Sequence, residues 1–239
     1  MYYGYSEDND KFIRLLTIII VGVMIAIGFL VNSKVREHDD AVNIRYEQAI
    51  KIEGSKEQFE YAMKTDSGDA FVYGTLKAVD HVTDDEIEGE YAEILKVKEE
   101  YRPHTVVETD SKGRTHTRTV WSWDEVSRHT THCNEIEFMD HVFEYGTIPF
   151  PCGDYIDTVY DGFNTRYKYY CTDTEYTGAF FGELRNGTIE GAETFVPDKT
   201  ASETCEYMHI HNNGFVFWLL WIIFILIILA IAYKFIGLY

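Results

Sequence analysis

Two long apolar runs, one near each end of the chain, dominate the pattern of hydrophobic and polar positions. Residues 15–31 and residues 214–233 contain no charged side chain. A helix rises about 1.5 Å per residue, so about 20 apolar residues cross a hydrocarbon core of about 30 Å. We therefore predict transmembrane helices over residues 13–32 and 214–233. The first run is longer than the apolar region of a cleaved signal peptide, so we interpret it as a retained anchor.

The polar segment that follows the first run has a helical pattern. Val42 and Tyr46 recur at helical spacing, and Ser55 with Gln58 forms a capping-box sequence that starts a second helical stretch. We predict a helical stalk over residues 33–68.

From residue 69 onward the period becomes alternating, which predicts a β-rich domain over residues 69–197. Residues 91–109 and 115–123 alternate on either side of an Asp-Ser-Lys-Gly turn, a pattern typical of a long β-hairpin. Residues 198–213 are predicted to form a connecting helix. The predicted fold class is a membrane protein in which two transmembrane helices flank an all-β or α+β ectodomain with a long β-hairpin.

Two tryptophans lie on the return strand of this hairpin. Trp121 and Trp123 share one face with Thr115, Thr117 and Thr119 at a period of two. Because aromatic side chains dominate cores, we expect the tryptophans to pack against the sheet; lining a ligand groove is the alternative.

Charge narrows the range of partners. The formal net charge is −19, and the whole excess lies in residues 33–213, because the acids and bases outside this range cancel. Such a field repels phosphate, which excludes nucleic acid as a partner. An aromatic content of 15% favours folded strands over disorder. The expected partners are the lipid bilayer and either a membrane protein or further copies of this chain.

The cysteines decide the predicted orientation, because the basic residues beside the two spans are nearly balanced. All four lie in the central segment and none forms a CxxC pair, a pattern that favours up to two disulfides in an exported domain. We predict cytoplasmic tails over residues 1–12 and 234–239, and a domain outside the plasma membrane. The disulfide candidates are Cys133, Cys152, Cys171 and Cys205. We expect Cys152 to pair with Cys171 or Cys133; four reduced, buried cysteines are the alternative.

Histidines provide the main candidate for metal chemistry. The sequence contains a His-Thr-Thr-His-Cys run and a His-Ile-His run, and several such ligands brought together would suit Zn²⁺ or Cu²⁺. The spacing is weak evidence, because the helical HExxH frame is missing. The candidate ligands are His129, His132, Cys133, His141, His209 and His211. No nucleophile elbow, phosphate loop or dinucleotide fingerprint occurs in the sequence, so we expect no catalytic residue and no cofactor.

Two further pairs of residues are candidates for contacts. Lys112 and Arg114 place two positive charges at the hairpin tip of an acidic domain, which would orient an acidic partner; a solvated turn is the alternative. Gly22 and Ala26 form a small-xxx-small pair in the first apolar run. We expect this pair to pack against the second run, with association between chains as the alternative.

Three segments carry a resemblance to known proteins: GDAFVYGTLKAV, VWSWDEVSRHTTHCNEIEF and YTGAFFGEL. Together with the layout of two spans, they resemble uncharacterised two-pass membrane proteins of bacteria and archaea. More remotely, residues 69–196 are similar to the GIDE-type domain of a mitochondrial membrane ubiquitin ligase and to the nuclear-envelope protein LUMA. The ligase carries a C-terminal RING domain, and no RING-like cluster of Cys and His follows residue 233 here, so the resemblance does not imply ubiquitin transfer.

The function expected from the sequence is that of a non-catalytic, membrane-anchored interaction module or complex subunit outside the cytoplasm. A metal-dependent ectodomain built on the His and Cys residues is the alternative from a different class. A surface protein of prophage type that masks a receptor is a third reading.

Overall fold

The computed structural model describes residues 7–109, 113–211 and 213–235, and the side chains of residues 13–109, 113–211 and 213–234. The chain divides into a helix pair, formed by its two ends, and a strand-rich domain over residues 48–208. The elements in chain order are α1 (Glu7–Gln48), β1 (Ile50–Glu53), α2 (Lys56–Lys64), β2 (Gly68–Ala78), β3 (Val82–Asp84), β4 (Ile87–Tyr91), β5 (Glu93–Thr109), β6 (Thr115–His132), β7 (Glu135–Phe138), β8 (His141–Glu144), β9 (Asp154–Tyr160), β10 (Thr165–Thr172), β11 (Glu175–Arg185), β12 (Thr188–Glu190), β13 (Val196–Pro197), α3 (Ala201–Met208) and α4 (Gly214–Phe235).

Helices α1 and α4 are each long and apolar enough to cross a membrane, with mean hydropathies of 2.7 and 3.1 over their most apolar windows. The prediction of two long apolar helices flanking a strand-rich region is confirmed. Helix α1 has 42 residues, about twice what a single span needs. It therefore continues well past its apolar part, as the sequence predicted for a stalk.

Two tryptophans of α4 contact α1, and one of them, Trp218, meets the ring of Phe29 edge to face at 4.9 Å. The indole N–H of Trp221 donates a hydrogen bond to the carbonyl oxygen of Met24 at 3.0 Å. Gly28 leaves the room for this ring, because a Cβ there would lie 2.5 Å from the indole nitrogen. By contrast, a Cβ at Gly22 would meet nothing within 4 Å, and Ala26 is exposed. The small residue at the α1–α4 contact is therefore Gly28, and the prediction that Gly22 and Ala26 form it is wrong.

The strand-rich domain is built on a seven-stranded sheet, here called sheet A, with the order β12-β11-β2-β7-β8. Strand β1 pairs with β2 in parallel, and β13 pairs with β11. Helix α2 packs on one face, where Phe59 meets the ring of Phe138 at 5.7 Å. On the other face Phe71 and Phe181 pack ring to ring at 4.8 Å, and α3 contacts the strands that carry them. Both faces of the central strands are consequently buried.

Strand β1 interrupts the segment that the sequence predicted as one helical stalk. Its last residue, Glu53, caps the N-terminus of α3: its carboxylate accepts hydrogen bonds from the N–H of Ala201 at 3.1 Å and of Ser202 at 2.9 Å. The predicted cap at Ser55 is confirmed, because its hydroxyl accepts the N–H of Gln58. The connecting helix predicted over residues 198–213 is shorter, since α3 spans only Ala201–Met208.

A loop carboxylate ties the end of β2 to the start of β7. Asp80 accepts the backbone N–H of Asn134 at 2.9 Å and that of Glu135 at 3.0 Å. These backbone hydrogen bonds, first that from Asn134 and then that from Glu135, hold the pKa of Asp80 below its usual value. The ionised carboxylate therefore stabilises this junction.

The second sheet, sheet C, has four strands in the order β6-β5-β10-β9. The long hairpin predicted from the alternating pattern supplies the two longest strands of this sheet: β5 pairs with β6 from Glu93–His132 to Thr109–Thr115. Strand β10 accompanies β5 only as far as Glu100. Sheet C is thus four-stranded at one end and two-stranded at the other. A separate pair, β3–β4, completes the strands.

Candidate functional site

The outer part of the hairpin is an exposed two-stranded ribbon, defined as residues 101–109 and 115–123. It contains nine residue pairs, from Tyr101–Trp123 to Thr109–Thr115, which at about 3.4 Å per residue extend for about 30 Å. All nine residues of its β5 arm are exposed. A lone two-stranded hairpin is only marginally stable in water, so such a long ribbon needs support at its base or from a partner.

Aromatic side chains gather at the base of the ribbon. The ring of Tyr101 stacks on that of Trp121 at 5.4 Å and packs against that of Trp123 at 5.3 Å. Trp123 in turn meets Tyr160 of β9 edge to face at 6.1 Å. We call these four residues the aromatic surface. Trp121 is 52% exposed and Tyr160 is 61% exposed, so the prediction that both hairpin tryptophans pack into a core is wrong for Trp121.

Charged groups hold the aromatic surface in place. The guanidinium of Arg166 lies 4.2 Å from the centre of the Trp123 ring, a cation–π contact. Glu99 positions this guanidinium by accepting a hydrogen bond from Arg166 at 2.6 Å and another from Lys168 at 2.9 Å. Burial raises the pKa of Glu99, but the hydrogen bonds from Lys168 and Arg166 outweigh burial and lower it overall. Glu99 is therefore ionised at neutral pH, and the rings are ordered in advance of any partner.

The turn between β9 and β10 adds one more aromatic residue beside this surface. Its carbonyl at Asn164 accepts the N–H of Tyr101 at 2.9 Å, which fixes the turn at the base of the ribbon. Phe163 in the same turn is fully exposed. Neither Phe163 nor Tyr160 was predicted from the sequence. An alternating pattern assigns a residue to one face of a strand, but it does not show which face is covered by other parts of the protein.

The tip of the hairpin is only partly described. Arg114 is exposed, whereas Lys112 lies outside the described residues. By sequence, residues 101–123 carry four basic side chains and two acidic ones, in a chain whose net charge is −19. Within the ribbon itself, Arg102 is paired with Glu100 at 2.7 Å and Arg118 with Glu108 at 2.8 Å. The basic excess of the hairpin therefore lies at its tip, beyond the aromatic ribbon.

The cysteines do not support the predicted disulfides. None of Cys133, Cys152, Cys171 and Cys205 is paired with another, and all four lie within the described ranges. Burial raises the pKa of the Cys133 and Cys171 thiols to about 11, so both stay protonated and unreactive. Cys152 is exposed. The alternative of reduced cysteines agrees with the structure, with Cys152 as the exception to burial.

The histidines are not arranged as a metal centre. His129 and His132 lie on β6, where the ring of His132 stacks on Tyr145 at 4.0 Å, and Cys133 is buried in the core of sheet A. His141 packs against Phe59. His209 and His211, which belong to the helix pair, have rings 5.3 Å apart. Within the described ranges no three His, Cys, Asp or Glu side chains are placed to hold a metal ion.

Comparison of this chain with models of protein families, with curated proteins and with solved structures gives no match. The class of protein is accordingly defined by its own architecture: a strand-rich domain inserted between two long apolar helices. Its distinguishing feature is the exposed aromatic surface at the base of a long ribbon.

Proposed function

We propose that this protein is a two-pass membrane protein whose strand-rich domain, held outside the cytoplasm, binds a partner protein and does no catalysis. The observation that carries the proposal is the aromatic surface. Exposed apolar patches on folded domains mark interaction sites, and Tyr and Trp are the residues enriched at the centres of interfaces. Here four such rings are ordered by one another and by Arg166.

The basic tip of the hairpin, with Lys112 and Arg114, indicates the character of the partner. Its positive charges favour an acidic surface on the partner and would speed their encounter. The aromatic surface would then form the desolvated centre of the interface. The resemblance to GIDE-type and LUMA-type membrane proteins agrees with this role and remains a prediction.

The membrane part of the proposal rests on α1 and α4. Both helices expose apolar side chains over a length that matches the thickness of a bilayer. Exposing so large an apolar surface to water would be energetically unfavourable. Alkaline carbonate extraction of membranes from expressing cells should leave the full chain in the pellet. In intact cells, a membrane-impermeant maleimide should label Cys152, the exposed thiol. Labelling only after lysis would show that the strand-rich domain lies on the cytoplasmic side, opposite to our proposal.

The contact part of the proposal is tested by photo-crosslinking from Thr117 in the ribbon. A crosslinked partner should be lost when Trp121 and Phe163 are changed to Ser, and also when Lys112 and Arg114 are changed to Glu. The matched control is Tyr61→Ser, since Tyr61 is an aromatic side chain on α2 that is 68% exposed.

The alternative of a metal-dependent ectodomain predicts the opposite pattern. Changing His129, His132 and His141 together to Ala should leave the crosslink intact under our proposal. If the histidine variant loses bound metal and activity while the ribbon variants are silent, the metal reading replaces the interaction module.

A further inference from the structure

The helix pair contains an apolar groove beside the α1–α4 contact. Val21, Ile25 and Phe29 of α1 line it together with Trp218, Ile222 and Leu226 of α4, and every lining side chain is aliphatic or aromatic. Its volume is about 470 Å³, which lies within the range of about 300–1,000 Å³ for ligand clefts. A groove of this composition fits a hydrocarbon chain.

A polar depression continues from one end of the groove. The two cavities share Phe29 and Trp218, and the second has a volume of about 780 Å³. Asn32, Arg36 and Asp40 are among the residues that line it. They lie one helical turn apart on the same face of α1, so an amide, a cation and a carboxylate follow one another along the helix. An amphipathic ligand whose apolar part lies in the groove would have its polar part beside these three groups.

Three polar residues that line this depression, Asn32, Arg36 and Asp40, have side-chain groups without partners in the described ranges, whereas Glu37, which lines it as well, is paired. The side-chain oxygen of Asn32 is buried and accepts no hydrogen bond from the described residues. A buried acceptor without a donor is costly, and it is rare in folded proteins. Neither Arg36 nor Asp40 forms an ion pair within the described ranges, whereas their neighbour Glu37 is paired with Lys34 at 2.6 Å. The depression therefore offers one cation and two acceptors to a ligand.

We propose that this site binds a phospholipid whose headgroup carries a primary ammonium, as in phosphatidylethanolamine. The acyl chain occupies the apolar groove, the phosphate binds Arg36, and the ammonium donates hydrogen bonds to Asn32 or Asp40. The inference rests on the proposed membrane insertion of the helix pair. Glu37 also lines the depression but is neutralised by Lys34, so the charges left unpaired there are one positive group, Arg36, beside one negative group, Asp40. This pair is the complement of a zwitterion, and an anionic headgroup would leave Asp40 opposed. A choline headgroup has the same charge as ethanolamine but has no N–H to donate to the orphaned oxygen of Asn32.

The test is competition between lipids that differ only in headgroup. The full chain is purified in a mild detergent and incubated with equal amounts of dioleoyl phosphatidylethanolamine, phosphatidylcholine and phosphatidylglycerol, and the bound lipid is counted by native mass spectrometry. The wild-type protein should retain phosphatidylethanolamine about tenfold over phosphatidylcholine, the ratio expected from one charge-assisted hydrogen bond. Equal retention of the first two, or a preference for phosphatidylglycerol, would overturn the assignment.

Three variants separate the parts of the site. Asn32→Leu and Asp40→Asn should each reduce the preference for ethanolamine over choline, whereas Arg36→Gln should weaken retention of both lipids. His38→Ala is the matched control, since His38 is exposed on α1 and does not line the depression. A preference that survives both Asn32→Leu and Asp40→Asn would show that the lipid binds elsewhere.

A filling variant keeps the test independent of headgroup chemistry. Ile222→Trp should block the apolar groove and lower the retention of every lipid, while size-exclusion elution and the protection of the buried Cys133 and Cys171 from a maleimide report that the chain is still folded. Carbonate extraction of the same membranes distinguishes the two levels of the argument. An extractable protein would refute the membrane insertion itself, whereas a membrane-integral protein without headgroup preference would refute only the lipid site.

Discussion

The central strands of sheet A, β2 and β11, and the ribbon of sheet C are both antiparallel pairs, but they differ in what covers them. Strands β2 and β11 lie at the centre of sheet A with both faces buried, so that Phe71, Phe180 and Phe181 are all inaccessible to solvent. In the ribbon, Val107 is 61% exposed. The same aromatic and β-branched residue types thus serve as core in one sheet and as surface in the other. Residue type alone does not tell which role a strand has; its neighbours decide.

The largest effect should come from the core of sheet A. Phe180 is fully buried and meets Phe138 edge to face at 5.3 Å. Phe180→Ala should lower the free energy of unfolding by about 3–5 kcal/mol, because it removes buried apolar surface and leaves a cavity. Denaturant titration of the full chain in detergent, followed by tryptophan fluorescence, measures this loss.

The matched control for this change lies in the ribbon. Val107→Ala should change the free energy of unfolding by no more than about 0.5 kcal/mol, since exposed positions contribute little. Equal losses for the two variants would mean that the ribbon is covered by this protein's own packing, and the comparison would fail.

A smaller loss is expected where two backbones approach closely in sheet A. A Cβ at Gly178 would lie 2.2 Å from the carbonyl oxygen of Val196, on the neighbouring strand β13. Gly178→Ala should therefore cost about 1–3 kcal/mol through overpacking. Thr117→Ala in the ribbon serves as the comparison and should be close to neutral. Thermal unfolding of both variants under the same conditions decides between them.

The reactivity of the cysteine thiols should also distinguish exposed from buried parts of the domain. In folded, unreduced protein, Cys152 should react with a maleimide within minutes, whereas Cys133 and Cys171 should react only after denaturation. Burial and a pKa of about 11 keep both thiols protonated. Mass spectrometry of the labelled protein counts the sites. A denatured, unreduced sample with fewer than four reactive thiols would restore the disulfide prediction.

The smallest expected effect is a pH-dependent change in the melting temperature. Hydrogen bonds from the Asn134 and Glu135 backbones lower the pKa of Asp80, so its contribution to stability is present above the unfolded pKa of about 3.9 and is lost as the pH falls through the lower folded value. Asp80→Asn should reduce the melting temperature at pH 7, and the difference from wild type should shrink below about pH 4. Asp85→Asn, which replaces an exposed carboxylate in the β3–β4 turn, is the control and should leave the melting temperature at pH 7 unchanged.

The parts of the fold that follow from local pattern could be predicted from the sequence. The two apolar helices follow from composition, and the hairpin follows from its period of two and its turn residues. Strand β1 could not be predicted, because Ile50–Glu53 becomes a strand only through its parallel pairing with β2. The choice of Gly28 over Gly22 also depends on a distant residue, Trp221, whose position local spacing does not specify.

The candidate site was predicted in part for the same reason. The alternating pattern placed Trp121 and Trp123 on one face, and the structure agrees, because both rings contact Tyr101. The alternating pattern did not show that β10 begins opposite Glu100 and therefore leaves this face of the ribbon uncovered. His129, His132 and Cys133 are close in sequence, yet a strand directs successive side chains to opposite faces, and they do not converge.

The cap that Glu53 places on α3 has a mechanical consequence. The carboxylate joins the first strand of the strand-rich domain to its last helix through Ala201 and Ser202. A partner that pulls on the ribbon would load the domain against its two tethers, the chain entering near residue 48 and the chain leaving near residue 208. Because the clamp joins these ends, a load that reaches either tether is shared between β1 and α3 through the hydrogen bonds of Glu53.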